Sequence, residues 1–260
     1  METQTDLAPT TQVAEKKAAT TYTFREITGA EELEQAFRLR YEVYENSRLN
    51  QFLKHNPERV DMDEFDFHSR HYGIFNEKGE IIAYLRVVLD RSELINQSVF
   101  EVLTNLHIDL MKLNSIISIK EHSPDFPFLS YPEIPDAVKS HYLELKAKQE
   151  GFAEASRLII KEELRGPRIS GFLIESAMML FMMICHEKKH AIVCCDKQHS
   201  FFYERYGFKP FGDGQTYEAC GTKAVSVFLT LNDARQNNIN DKFSGLAVEY
   251  SLTGKITRTL

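Results

Sequence analysis

Hydrophobic and polar positions divide the chain from Thr21 onward into short extended runs and longer amphipathic ones. The first run, TYTFREI, reads as a strand. Thr28 to Glu45 follows with Leu33, Phe37, Arg40, Tyr41 and Tyr44 at helical spacing, Thr28 as N-cap and Glu31 as its capping-box partner. His71 to Phe75 and Glu80 to Leu89 are strand-like and are split by Asn76, Glu77, Lys78 and Gly79, a hairpin signal. The pattern then blurs. It offers a helical stretch from Ser98 to Lys112, a proline-containing loop from Ser123 to Pro135 and a helix from Asp136 to Gln149. Beyond Gly151 it sharpens into a strand to Lys161, a helix from Arg168 to Lys188, a strand from His190 to Asp196 and a helix from Ser200 to Tyr206. Further strands are expected near Phe208 and over Ala224 to Leu231.

Strands alternating with helices after an opening hairpin predict an α/β protein with a mixed central sheet flanked by helices. Residues 91–150 are too many for a simple connection and are expected to cover one face of the sheet as an insert before the fourth strand. The principal domain spans 21–231. Residues 1–20 are polar, without apolar period, and are expected to form a disordered tail. The weakly patterned 232–260 is a C-terminal extension of undefined role. No internal repeat is visible.

Composition narrows the function classes. Among 260 residues, 38 acidic side chains outnumber 31 basic ones for a net charge of −7, so no basic field exists to gather nucleic acid. The N-terminus lacks the features of a secretory signal, and the longest apolar run, Ala177 to Cys185, falls short of the roughly 20 residues that span a bilayer. A cytoplasmic protein without a transmembrane segment is expected. Cys185, Cys194, Cys195 and Cys220 match no zinc-ligand spacing and read as free thiols in a reducing compartment; no metal is expected.

Three segments carry chemistry. The first joins FRLRYEVY (Phe37 to Tyr44), VDMDEFD with Asp61, Asp63 and Asp66, and Arg86 in YLRVVL. Arginines and carboxylates projected from different elements can form a buried ion-pair network, or they can hold the ammonium of an amino-acid-like acceptor. The second is AEASRLII, with Glu154, Ser156 and Arg157 on the fourth strand. Glu154 can serve as general base for an attacking amine, or it can pair with Arg157 or Arg40 and only brace the strands. The third is FYERYGF, in which Tyr203 can protonate a departing thiolate or simply pack.

The order and spacing of Arg40, Tyr44, Asp61, Asp63, Asp66 and Arg86 resemble the signature of the acyl-homoserine lactone synthases. The AExSRL run resembles still more the N-acyl amino acid synthases. FYERYGF is similar to the late signature of GNAT proteins generally. The resemblance covers about Tyr22 to Leu231 and implies the GNAT fold. It further implies an acyltransferase that moves an acyl group, long-chain by this likeness, from acyl carrier protein or a coenzyme A thioester to a small amine. The thioester is a co-substrate, and no permanently bound cofactor is implied.

Two departures refine the picture. The chain has no Trp, which lactone synthases usually carry after the first helix, so the N-acyl amino acid synthases fit better. The pyrophosphate loop of acetyl-CoA-dependent relatives is degraded: Arg165, Arg168 and Gly171 fit it, but Phe172 and Leu173 leave no second small residue. Arg165 and Arg168, with Lys188 and Lys189, can instead offer positive charge to an acidic carrier. Two alternatives stay open, an acetyl-CoA-dependent N-acetyltransferase and a non-catalytic GNAT-shaped module that binds an acyl ligand or carrier.

Overall fold

Asn76 sets the hairpin on which the sheet is built. Its side-chain oxygen accepts the amides of Lys78 and Glu80 at 3.0 and 2.9 Å, while Gly79 takes φ +79°, a conformation open to a residue without Cβ. The computed structural model describes residues 19–92, 94–117, 124–219, 221–230, 233 and 239–260. The expectation for the tail falls outside them up to residue 18, as do those touching Ser123, Cys220 and Leu231.

The elements are β1 (Thr21–Ile27), α1 (Ala30–Glu45), β2 (Ser69–Phe75), β3 (Ile81–Val88), α2 (Gln97–Asn105), α3 (Leu110–Ile116), α4 (Asp136–Ala147) and β4 (Phe152–Ile160). There follow α5 (Pro167–Lys188), β5 (His190–Asp196), α6 (Lys197–Glu204), β6 (Lys209–Pro210), β7 (Tyr217–Ala219), β8 (Thr222–Thr230), α7 (Ile239–Thr253) and β9 (Lys255–Thr259). They form one sheet in the order β6-β8-β5-β4-β3-β2-β1-β9, with β7 on β8. Every pairing is antiparallel except β4 with β5. This is the mixed sheet of the GNAT fold.

α5 and α7 bury one face of the sheet, against Phe24, Tyr72, Leu85, Val87, Ala153 and Val193. At 22 residues and a hydropathy of 1.7, α5 is long and apolar enough to cross a membrane, contrary to the reading from Ala177 to Cys185 alone. It is instead a core helix: 67% of its apolar window is buried inside the fold. The opposite face is covered in two halves. α1, α2 and α3 pack with Tyr84 and Ile159 on one side. Phe126, Phe128, Ile134, Val138 and Tyr142 of the insert pack with Val88, Phe152 and Ile192 on the other.

Sequence and structure part company at element ends. Thr28 does not cap α1: Gly29 occupies the N-cap without a side-chain bond, and the Thr28 carbonyl accepts the Ser98 hydroxyl. The expected helix over Ser98 to Lys112 breaks where His107 takes φ +52°, and Asp109 caps a fresh start at α3. α6 begins three residues early because Asp196 accepts the Gln198 amide. The last segment adds β9 to β1, a pairing that Thr20 and Leu260 extend with reciprocal hydrogen bonds.

Two irregularities in β4 shape the centre of the molecule. β4 pairs with β5 only from Phe152–His190 to Ala155–Val193, although β4 stays on β3 to Ile160 and β5 on β8 to Asp196. The sheet therefore splits beyond Ala155 and Val193. In the same stretch β4 carries a bulge between Ser156 and Ile159, where Arg157 takes φ +56°.

Candidate active site

The charged residues singled out in the sequence converge where the two halves of the covered face meet. Arg40 lies on α1 in line with Leu33, Phe37 and Tyr44, and is fully buried. Its Nε donates to Asp61 at 2.9 Å and its other arm to Asp66 Oδ1 at 2.7 Å. Arg86 on β3 donates to the same Asp66 oxygen at 2.8 Å, to Asp63 Oδ1, and through Nε to Ser156 Oγ at 3.0 Å. Arg157 reaches Asp63 Oδ2 at 2.9 Å and lies over the Tyr44 ring, 5.3 Å from its centroid. Three guanidinium groups thus face three carboxylates.

Geometry assigns these groups different reach. Arg40, Asp66 and Arg86 are 0%, 0% and 1% exposed, which suits bracing more than contact with an acceptor. Both oxygens of Asp63 are engaged within the network, Oδ1 by Arg86 and the Phe65 amide and Oδ2 by Arg157. Arg157 is the most exposed of the three arginines, its side chain 29% exposed, while its Nε is buried without a hydrogen bond, the nearest carboxylate oxygen being Asp61 Oδ2 at 3.7 Å.

The network fixes its own protonation. Burial alone would raise the Asp66 carboxyl, but Arg40 and Arg86 override it and hold the group far below the usual carboxylate range. Burial likewise opposes the Arg86 charge, and Asp63 and Asp66 restore it. Sequence reasoning missed His71 and Tyr84, which close the network beneath. The Tyr84 hydroxyl lies 2.6 Å from His71 Nδ1 and can accept from Arg40 at 3.5 Å, while His71 Nε2 lies 3.4 Å from the Asp66 carbonyl. Burial depresses His71 to about 4, so it is neutral, with the proton on Nε2 if Tyr84 donates to Nδ1. A histidine inside a strand beside the hairpin was the signal available.

Glu154 stands two residues from Ser156 on the same face, opposite Val88 and Ile192. It is 1% exposed, and among the described residues it makes no ion pair, which removes the bracing role with Arg157 or Arg40. Its one hydrogen bond is accepted from the Phe128 amide at 2.9 Å. Burial pushes this carboxyl up to about 8; the Phe128 amide, Arg86 and Arg157 pull it down without cancelling that effect, and Asp63 reinforces it.

Tyr203 lies on α6, which starts where β5 ends past the split. Its ring packs against Phe202 and Phe208 at 5.6 and 5.4 Å, and burial keeps the phenol protonated far above its ordinary range. No described hydrogen bond joins it to Glu154. Arg165 and Arg168 are exposed around the start of α5, and a Cβ at Gly171 would meet open space, whereas Phe172 and Leu173 are core residues. Lys188 and Lys189 are at the far end of that helix, about 33 Å away at 1.5 Å per residue, so the four cations form no single patch. Among the described residues Cys185, Cys194 and Cys195 form no disulfide. Among the described residues no cluster could hold a metal ion.

Known proteins match this arrangement in parts. Residues 136–230 match the family model of the N-acyl amino acid synthase FeeM, and residues 39–118 that of an acetyltransferase (GNAT) domain. A search of curated proteins returns no match. Among solved structures, FeeM, an N-acyl amino acid synthase from uncultured soil microbes, aligns with a TM-score of 0.50 at 12% identity, over 86% of this chain and 97% of that one. The CoA-dependent acyl-homoserine lactone synthase BjaI, with MTA, aligns with a TM-score of 0.51 at 14% identity, over 86% and 90%. Such identities speak for the fold alone. The chain has the GNAT fold, and its segments are similar to the N-acyl amino acid synthase FeeM and to a GNAT acetyltransferase domain.

Proposed function

We propose that the protein transfers an acyl group from a thioester of acyl carrier protein or coenzyme A to the amine of a small amino-acid-like acceptor, in the cytoplasm. The observation that carries this reading is the placement of Glu154. It is a buried carboxyl with no ionic partner, immediately before the point where β4 and β5 part, and the split gives a thioester and an amine a place to meet.

The acceptor enters as an ammonium ion, and Glu154 takes one of its protons. The nitrogen then attacks the thioester carbonyl and a C–N bond forms. As the C–S bond breaks, the thiolate receives a proton from Tyr203, and the nitrogen's second proton passes to solvent, which restores the phenol. Glu154 finally releases its proton, leaving an amide and a free thiol. Arg157, whose side chain is 29% exposed, is the group offered to an acceptor carboxylate. Tyr44 supports its guanidinium, while Arg40, Asp61, Asp63, Asp66, Arg86 and Ser156 hold it in place. The start of α5, with Arg165, Arg168 and Gly171, is the side from which the donor is held.

The test is an incubation of the purified protein with acyl-carrier and acyl-CoA thioesters of graded length and a panel of amino acids, read by mass spectrometry. N-acyl amino acids that vanish with Glu154→Gln support the reading. Thioester consumption limited to acetyl-CoA would favour an N-acetyltransferase, and no transfer with any pair would leave a binding module.

A further inference from the structure

The insert does more than cover the sheet. The turn at Pro127–Ser130 brings the Phe128 amide to the Glu154 carboxylate across 26 residues of chain, and this is the only hydrogen bond described for that side chain. The same residue locks the turn in place. Its ring lies 6.1 Å from Phe126, 5.9 Å from Tyr142 and 5.8 Å from Phe211. These rings belong to the apolar cluster that holds Val88 and Ile192, the residues flanking Glu154 on the neighbouring strands. A carboxylate that accepts one amide and is otherwise walled by aromatic and aliphatic groups has a fixed direction and no water shell.

We propose that Phe128 is a positioning residue of the active site: its main-chain amide aims the Glu154 carboxylate, and its ring seals that carboxylate from solvent on the side of the insert. The proposal rests on the reading of Glu154 as general base and gives residues 124–147 a part in the reaction. The other charged or titratable groups in electrostatic reach of Glu154 are Arg86 on β3, Asp63 before β2, Arg157 on β4 and Tyr217 on β7. The three guanidinium and carboxylate groups belong to the braced network. The Tyr217 hydroxyl lies 2.7 Å from Ser226 Oγ and 3.1 Å from Cys194 Sγ, and burial keeps it protonated. None of these four changes charge between pH 6 and 9; the Cys194 thiol, in the same cluster, is removed as a source by Cys194→Ser, and a titration that persists in that variant reports Glu154.

The amide can be watched directly. Labelling with ¹⁵N-phenylalanine gives signals from 18 residues, and Phe128→Leu identifies the one of interest. The Phe128 signal of the full chain is expected to move with pH about a midpoint near 8, and this movement is expected to vanish in Glu154→Gln. Turnover against pH should rise about the same midpoint, and Phe128→Ala, which keeps the amide but opens the wall, should lower that midpoint by about one unit. A Phe128 signal indifferent to pH, or one that titrates unchanged in Glu154→Gln, overturns the proposal. So does a Phe128→Ala variant, folded by its spectrum, that loses turnover with its midpoint unmoved. If the signal follows Glu154 while turnover is flat across that midpoint, the seat stands and the general-base reading falls.

Discussion

Two regions on one face of the sheet, two strand residues apart, treat buried charge in opposite ways. Around Arg86 and Ser156, three arginines and three aspartates pair with one another, and the arginines hold Asp63 and Asp66 ionised against the effect of burial. Around Glu154 no guanidinium touches the carboxylate, and burial acts on it unopposed except by one amide and by charges at a distance. The first arrangement keeps Asp63 and Asp66 ionised and braces the site; the second leaves a carboxyl able to change charge near neutral pH, the property that the proposed general base needs. Chemical role follows from compensation, not from burial itself.

The largest expected effect breaks the compensated side. Asp66→Ala leaves Arg40 and Arg86 buried without their shared carboxylate, and should destabilise the protein by about 3 to 5 kcal/mol in denaturant unfolding. A loss well under 1 kcal/mol would mean that the network is not what holds β3 to α1. The same carboxyl predicts acid lability. Its depressed value means that the stability it contributes is complete above the ordinary carboxylate range and lost as pH falls through and below it.

Glu154→Gln addresses the uncompensated side. Turnover should fall about 10²-fold or more with the fold retained, since Gln keeps an acceptor for the Phe128 amide. The sign of the pH effect is opposite to that of Asp66. A carboxyl raised to about 8 favours its protonated form when folded, so wild-type stability should decline as pH climbs from the ordinary carboxylate value through 8. The Gln variant should lack this decline, so that between pH 5 and 9 the unfolding free energy of the wild type should fall relative to it by on the order of a few kcal/mol. Identical melting of the two proteins from pH 5 to 9 would show that the site is wet.

The smallest effect is a control on solvent. Arg48 and Asp196 form an ion pair at 3.2 Å that links the turn after α1 to the end of β5, but Arg48 is 63% exposed. Arg48→Ala is expected to leave the thermal midpoint unchanged within measurement, because an exposed pair gains little over hydration. A clear loss would place that pair with the buried ones.

Much of this contrast was legible before any coordinates. The six network residues and Glu154 could be named from their resemblance to the motifs of known synthases, and β2, β3, β4, α5 and β5 from periodicity, because each is long and strongly patterned. What stayed hidden depends on distance or on backbone. The contact from Phe128 to Glu154 uses a main-chain amide, which no residue type announces. β7 has three residues, too few for a period, and β9 reads KITRT, with a single buried position, Ile256, among polar ones. Whether Glu154 paired with an arginine was undecidable from sequence, since Arg157 lies three residues away on a strand that the bulge bends.

That bulge has a consequence for how the gene can change. Between the partners Arg86–Ser156 and Tyr84–Ile159, β3 contributes one intervening residue and β4 two. An in-frame loss of the Arg157 codon would make the counts equal, so Ile159 would still lie against Tyr84 and no downstream side chain would change face. The deletion also removes the left-handed backbone that an arginine tolerates poorly. By folding criteria alone, then, the codon is dispensable, and a library of single-codon deletions selected only for solubility should tolerate its loss more readily than the loss of Ala155 or Ile160. Selection for catalysis should reverse that ranking, which would mark Arg157 as a residue kept for the acceptor at the expense of a smoother strand.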